Sequence, residues 1–266
     1  MKRLLSILGI CVIIGVYLYE QRLNDDSGIQ EAKVVHSRAN LESFLPTSTT
    51  GQVVVHKYYT LSYNEAYEQA EWVAYSLKKS DLSRADRKRP LFELDPEVTT
   101  VSAGWWNYKN SGFDKGHLCP AGDRRFSKEA YNETFLTSNI APQNHDFNAG
   151  LWNGLEQKIR YWVKDANELI IVTGGVLHNN LPKIGKEGVA VPEYFYKIVF
   201  FPNGNNSRML AYLIPNNPNA QFNLNHYIVS VDQLEILTGI DFFPGLEDSL
   251  EAELENQEDD TNWPFI

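Results

Sequence analysis

The sequence predicts an α+β fold, and three observations support this prediction. Segments rich in β-branched and aromatic residues, such as Val53–Leu61 and Tyr194–Phe201, are typical of strands. Apolar residues recur at intervals of four, four and three over Asn148–Asp165, which is typical of an amphipathic helix. The strand-like and helix-like segments do not alternate regularly, so a parallel βαβ sheet is not expected.

Each element is predicted from a local signal. Strand composition marks the segments Val53–Leu61, Glu71–Leu77, Leu169–Thr173, Tyr194–Phe201 and Met209–Ile214. Helical spacing marks Ser127–Thr137 and Asn148–Asp165. Ser230 is predicted to cap a short helix that Gly239 ends.

The N-terminus predicts export. Lys2 and Arg3 precede the apolar run Leu4–Tyr19, so residues 1–20 are predicted to be a signal peptide or a membrane anchor. No small-x-small cleavage signature follows, which favours retention as an anchor. We therefore expect an exported protein, anchored in the membrane and facing outward, or secreted or periplasmic if the segment is cleaved.

The rest of the chain is predicted to contain one folded domain between two polar segments. Residues 21–51 lack a sustained period and are interpreted as a linker, and residues 52–245 as the domain. Residues 246–266 are acidic and predicted to be a loose tail, in which the apolar end Trp263–Ile266 could dock.

The charge distribution bears on the class of partner. The 266-residue chain has 24 basic and 34 acidic side chains and a net charge of −10, which by itself argues against a polyanionic partner. However, the eight carboxylates of Glu247–Asp260 account for most of this charge. Lys78–Arg89 holds six cations and two acids, and it is either a surface that follows phosphates or a solvated loop.

Residues 112–156 contain the side chains that phosphodiester hydrolysis needs. That reaction requires a base that works near neutral pH and a divalent cation that neutralises the phosphate. His117, Asn148 and Glu156 supply these groups. Asn148 and Glu156 are eight residues apart, close to two helical turns, so both can lie on one face of the predicted helix. Asn148 is placed at the N-terminal end of that helix, where an anion is favoured.

Four sequence blocks resemble the DNA/RNA non-specific endonucleases. Asp114–His117 reads Asp-Lys-Gly-His and resembles the Asp-Arg-Gly-His signature of that family. Ser138–Gln143, Asn148 and the Trp152–Glu156 segment follow in the order and spacing of the family, and the similarity extends over roughly residues 52–245. The resemblance implies a ββα-metal (His-Me finger) nuclease fold, with a central, mainly antiparallel sheet flanked by helices.

The resemblance also implies roles for individual residues. His117 would be the general base, and Asn148 the protein ligand of Mg²⁺, with Mn²⁺ as an alternative ion. Glu156 would hold a metal-bound water or orient the site. Asn139 would support the catalytic histidine or the phosphate, and Asp114 would be structural.

The sequence offers three candidates for the cations that bind phosphate. The arginine of the family signature is Lys115 here, which keeps the charge but lacks the planar fork that binds phosphate through two hydrogen bonds. The family has a further phosphate-binding arginine upstream, and Arg87 and Arg89 both fit that place.

We therefore predict a metal-dependent, sugar-non-specific endonuclease that leaves 5′-phosphate ends, with DNA and RNA as substrates. The membrane is a further partner if the N-terminus is uncleaved, and a homodimer is also considered. The alternatives are a catalytically inactive nucleic-acid-binding module of the same fold and a hydrolase that uses Cys119 as its nucleophile. Trp105, Trp106 and Tyr108 either stack on bases or pack in the core.

Overall fold

A seven-stranded, wholly antiparallel sheet forms the centre of the protein, with the strand order β1-β2-β3-β6-β9-β10-β11. The structure is a computed structural model, and it describes residues 41–47, 51–219, 223–261 and 263–265. Two further pairs, β4–β5 and β7–β8, stand outside this sheet. The strands are β1 Gln52–Val55, β2 Thr60–Asn64, β3 Gln69–Lys78, β4 Asp114–His117, β5 Ile140–Gln143, β6 Glu168–Gly175, β7 Lys183–Ile184, β8 Val189–Ala190, β9 Tyr194–Phe201, β10 Arg208–Pro215 and β11 Ile228–Val229.

The central sheet is buried on both faces, which explains its continuous apolar runs. In β6, Leu169 and Ile171 enter one core, whereas Ile170 and Val172 enter another. Alternate side chains of a strand point to opposite faces, so an unbroken apolar run is what two covered faces require. The α+β class and the mainly antiparallel sheet predicted from the sequence are confirmed.

The helices of the described residues are α1 Lys128–Glu133, α2 Asn153–Ala166, α3 Val231–Thr238 and α4 Asp248–Glu255. Of these, α2, α3 and α4 cover the two faces of the sheet. The apolar side of α2, including Ile159 and Trp162, packs into the first core. Leu234 of α3 and Leu254 of α4 pack into the second core, on the opposite face. As predicted, Ser230 caps α3 by accepting a hydrogen bond from the Gln233 N–H.

One predicted strand is instead a hairpin. Val53–Leu61 has uninterrupted strand composition, but the chain turns between β1 and β2. The carboxylate of Glu133 accepts hydrogen bonds from the backbone N–H groups of Lys57 (3.2 Å) and Tyr58 (3.0 Å). Glu133 lies 76 and 75 residues after them in the sequence. A distant residue thus fixes this turn, which explains why the local sequence did not reveal it.

The C-terminal segment also differs from its prediction as a loose tail. Residues 248–255 form α4, and Leu254 is fully buried in the second core. Trp263 lies in the first core, with its ring 5.1 Å from that of Trp162. The segment is therefore packed against the rest of the domain through a few apolar side chains. Its mainly acidic composition gave no indication of this packing.

The N-terminal prediction cannot be compared with the structure, because residues 1–20 and the first part of the predicted linker lie outside the described residues. Within residues 41–47, Leu41 is buried and the Phe44 ring lies 5.2 Å from that of Phe200. Across the described part of the chain, no helix combines the length and the apolar character that crossing a membrane requires.

Candidate active site

Strands β4 and β5 and the helix that follows them form the scaffold of the candidate site. The strands pair antiparallel, with Asp114 opposite Gln143 and His117 opposite Ile140. Gly116 leaves room for the buried Gln143 side chain, because a Cβ at that position would lie 2.1 Å from the Gln143 side-chain oxygen. After β5 the chain passes through a π-helical turn, Phe147–Trp152, directly into α2. The result is a local ββα unit.

His117 has an aromatic environment and an unpaired ring nitrogen. Its ring lies 5.6 Å from Phe92 and 4.9 Å from Phe135, the latter edge-on. Its Nε2 is buried and has no hydrogen-bond partner among the described residues. Desolvation, and then the positive charge of Arg89, lower the pKa of His117 to about 3. The imidazole is therefore neutral near pH 7, and Nε2 can accept a proton.

Two cations share the aromatic surface that contacts His117. The Arg89 guanidinium lies 5.5 Å from the Phe92 ring and 5.6 Å from the Phe135 ring. The Lys115 Nζ lies 5.5 Å from the Phe92 ring. Lys115 and His117 are two residues apart on β4, so they point to the same side of the strand. Arg89, Lys115 and His117 are thus brought together.

Arg87, the competing arginine, is not part of this group. Its Nε donates a hydrogen bond to the Arg125 carbonyl (3.0 Å), and its Nη2 donates one to the Phe126 carbonyl (3.3 Å). These contacts hold the loop before β4 to the turn before α1. The geometry therefore favours Arg89 as the phosphate-binding arginine.

Asn148 is oriented by the other end of the same strand. Its Nδ2 donates to the Asp114 carboxylate (3.0 Å), and the same carboxylate oxygen bonds the His145 Nδ1 (2.9 Å). The Asn148 Oδ1 is the free end of the carboxamide and has no hydrogen-bond donor among the described residues. A hard carboxamide oxygen at a partly exposed position fits a divalent cation that keeps several waters.

Glu156 lies in a network of charges that the sequence did not reveal. Its Oε2 is 3.9 Å from the Arg160 Nη2, and Arg160 also bonds the buried carboxylate of Asp123 at 2.6 Å. The fully buried Lys197, whose Nζ lies 4.6 Å from the Trp152 ring, completes the group. Desolvation raises the pKa of Glu156 to about 7, against the opposing charge of Lys197. A lone lysine inside the apolar strand Tyr194–Phe201 is the sequence signal that could have revealed this network.

Asn139 supports the site by binding the backbone next to it. Its Nδ2 donates to the carbonyls of Cys119 (3.0 Å) and Thr134 (2.9 Å), and its Oδ1 accepts from the Cys119 N–H (2.8 Å). The side chain is fully buried. Asn139 therefore fixes the backbone just beyond His117, and its amide is not available to a phosphate.

The structure argues against a nucleophilic Cys119. The side chain is fully buried, and burial raises the pKa of the thiol to about 12. A cysteine nucleophile must be a thiolate and must be accessible, so neither condition is met. Both observations contradict the alternative of a Cys119-dependent hydrolase.

The three aromatic residues that the sequence left open separate into two groups. Tyr108 is buried, and its ring lies 6.0 Å from the Lys115 Nζ, so it belongs to the core beside the site. Trp105 and Trp106 are 43% and 46% exposed, respectively, which leaves them accessible to a ligand.

Known proteins resemble the chain over most of its length. It is 37% identical over 231 residues to "Nuclease" of Nostoc sp., which covers 79% of this chain and 82% of that protein. It is 36% identical over 210 residues to "Nuclease EXOG, mitochondrial" of Danio rerio, which covers 72% of this chain. The chain spans about three fifths (61%) of that relative's length.

A solved structure shows the same fold. The crystal structure of the EndoG/EndoGI complex superposes with a TM-score of 0.72 and 27% identity, covering 80% of this chain and 94% of that one. Residues 36–249 match the family model for DNA/RNA non-specific endonucleases. The chain therefore belongs to the DNA/RNA non-specific endonuclease family and has its ββα-metal fold, as the sequence blocks predict.

Proposed function

We propose that this protein is a metal-dependent endonuclease that hydrolyses the phosphodiester bonds of DNA and RNA. One observation carries the proposal. The four-residue strand β4 holds a neutral, unpaired imidazole at one end, His117, and at the other end Asp114, which orients the Asn148 carboxamide. A base and a ligand for a hard cation are therefore fixed to one short, rigid element. Membership of the family and similarity to named nucleases support the proposal.

The chain's own groups divide the work of hydrolysis. His117 accepts a proton from the attacking water at Nε2, and the imidazole is unprotonated near pH 7, as this role requires. Arg89 and Lys115, on the same aromatic surface, bind the phosphate oxygens, Arg89 through two parallel hydrogen bonds and Lys115 as a point charge. Because these contacts are to the backbone of the nucleic acid, they do not discriminate sequence.

Asn148 would hold Mg²⁺, or Mn²⁺ in its place, through its Oδ1. The bound ion would supply charge neutralisation at the phosphate and at the departing 3′ oxygen, which leaves 5′-phosphate ends. Glu156 would accept a hydrogen bond from a water next to that ion. Desolvation raises the pKa of Glu156, and the charges of Lys197 and Arg160 oppose that increase. Asp114 and Asn139 are positioning residues, the first for Asn148 and the second for the His117 backbone.

Supercoiled plasmid and a structured RNA, incubated with Mg²⁺ or with chelator, test this proposal. We expect the wild-type protein to nick and linearise the plasmid and to degrade the RNA with Mg²⁺ only. His117→Ala should lower the rate at least about 100-fold, as loss of a general base does. His178→Ala is the matched control, because His178 is exposed and remote from β4 in the chain, and its activity should be unchanged.

Binding without cleavage by the wild-type protein would contradict the proposal and favour the inactive binding module. Equal rates with Mg²⁺ and with chelator would contradict the metal requirement. Full activity of His117→Ala would remove His117 as the base.

A further inference from the structure

Helices α3 and α4 meet through carboxylates. Asp232 and Glu235 of α3 and Glu255 of α4 each direct a carboxylate oxygen into one group, in which all the oxygens lie within 4.8 Å of one another. Like charges at this distance repel, and the repulsion is strongest at the buried Glu255. A face of this kind is unfavourable for packing two helices together unless something neutralises it.

Glu255 is the buried member of the group. The residue is only 6% exposed, and its Oε1 is buried without a hydrogen-bond partner among the described residues. A buried, unpaired carboxylate oxygen costs free energy that a ligand would recover. The carboxylate is thus placed where a positive charge is missing.

Within the described residues, no basic side chain supplies that charge. The sequence contains neither lysine nor arginine after Arg208, although this region holds both acidic helices. None of the ion pairs in the described part of the chain involves Asp232, Glu235 or Glu255. A small cation would compensate the group while the carboxylates stay ionised.

We propose that Asp232, Glu235 and Glu255 form a binding site for a divalent cation of the Ca²⁺ class that fastens α4 to α3. All three ligands are carboxylate oxygens, which hard cations prefer, and the exposed Asp232 leaves room for water to complete the coordination. Glu235 uses its Oε1 to accept a hydrogen bond from the Phe242 N–H (2.8 Å), which orients its carboxylate.

This site is distinct from the one at Asn148 and does not depend on the proposed function. Helix α2, which follows Asn148, packs into the first core, whereas α3 and α4 pack into the second core on the other face of the sheet. A cation between α3 and α4 would hold Leu254 in the second core. It would thereby stabilise the C-terminal segment rather than act on a substrate.

Thermal unfolding of the full chain near pH 7 tests the proposal, with CaCl₂ added to chelator-treated protein. We expect Ca²⁺ at about 100 times its Kd to raise the Tm of the wild type by about 5–10 °C. Glu255→Gln should lose this increase. Without Ca²⁺, the same variant should melt at or above the wild-type Tm, because it removes a repelling charge.

Two variants and one salt serve as controls. Glu253→Gln removes an exposed carboxylate of α4 that lies outside the group, and it should keep the full Ca²⁺ response. Asn148→Ala should also keep it, which separates this site from the candidate catalytic one. KCl at the same ionic strength should raise the Tm less than CaCl₂.

A wild-type Tm that does not respond to Ca²⁺, or an equal response in Glu255→Gln, would overturn the proposal. An equal increase with KCl would assign the effect to screening and overturn it as well.

Discussion

Two arginines close together in the sequence have different environments. Arg87 donates its hydrogen bonds to two backbone carbonyls, so its charge is used to hold one loop to another. Arg89 is exposed, and its guanidinium lies over Phe92 and Phe135 beside His117. The first arginine therefore contributes to stability and the second is available to a phosphate.

Substitution of the two arginines separates these roles. Arg89→Ala should lower kcat/KM on plasmid DNA by about 10- to 100-fold, because a hydrogen bond to a charged group contributes about 1.5–3 kcal/mol. Its Tm should be unchanged. Arg87→Ala should lower the Tm and leave kcat/KM within about threefold of the wild type. Loss of activity in Arg87→Ala alone would contradict this account, because it would make Arg87 the phosphate-binding arginine.

At the scale of elements, the π-helical turn Phe147–Trp152 determines how Asn148 and Glu156 are related. In a regular α-helix, residues eight apart point about 80° away from each other. A π turn advances fewer degrees per residue, so it reduces this angle and brings the two side chains closer to one face. The extra residue of the turn is thus a feature of the candidate site and not an irregularity of the helix.

Insertion of one alanine after Gly150 tests the turn. One added residue before α2 rotates Asn148 by about 100° relative to Glu156. We expect metal-stimulated plasmid cleavage to fall to background while the far-ultraviolet circular dichroism stays native. Gly150→Ala is the matched control, because a Cβ there meets no atom within 4 Å, and it should remain active. Full activity of the insertion variant would show that the turn does not matter.

Elements with strong local patterns could be predicted, and elements set by distant contacts could not. The strands β6, β9 and β10 and the helices α2 and α3 follow from apolar runs, helical spacing and the Ser230 cap. The β1–β2 turn depends on Glu133, and α4 depends on burial of Leu254 within an acidic segment. Neither contact can be predicted from the composition of the segment that it stabilises.

At the scale of the whole molecule, a buried cluster joins three distant segments. The Asp95 carboxylate bonds the His56 Nε2 at 2.8 Å, and Ser138 donates a hydrogen bond to the same oxygen. His56 belongs to the β1–β2 turn, and Ser138 is next to Asn139, which fixes the backbone beyond His117. The cluster therefore connects the edge of the central sheet to the candidate site.

The cluster makes stability depend on pH. Burial by itself raises the pKa of Asp95, but His56 and Ser138 outweigh it and hold the pKa below its ordinary value of 3.8. A depressed pKa stabilises the fold above the ordinary value, and this contribution is lost as the pH falls through the folded-state pKa. His56→Gln should thus unfold in less urea than the wild type at about pH 5. The difference should shrink toward about pH 2.

A constant difference between wild type and His56→Gln across this range would contradict the linkage. Gln in place of His keeps a polar side chain of similar size, so the comparison does not rest on a cavity. His178→Gln, at an exposed position, should show no pH-dependent difference and controls for the substitution itself.

The candidate site was predictable where chemistry is concentrated in a short segment. His117, Asn148 and the Asp-Lys-Gly-His block are visible because rare residue types stand close together. The contributions of Lys197, Arg160 and Asp123 depend on three elements meeting around Glu156, and only the structure assembles them. Likewise, the choice between Arg87 and Arg89 depends on which carbonyls lie nearby.

The central claim is that β4 positions a base and a metal ligand for a single site. The most direct test is an anomalous difference map from crystals soaked in Mn²⁺. The account predicts a peak about 2.1 Å from the Asn148 Oδ1. Absence of any peak at Asn148, or a peak confined to the α3–α4 carboxylates, would contradict it.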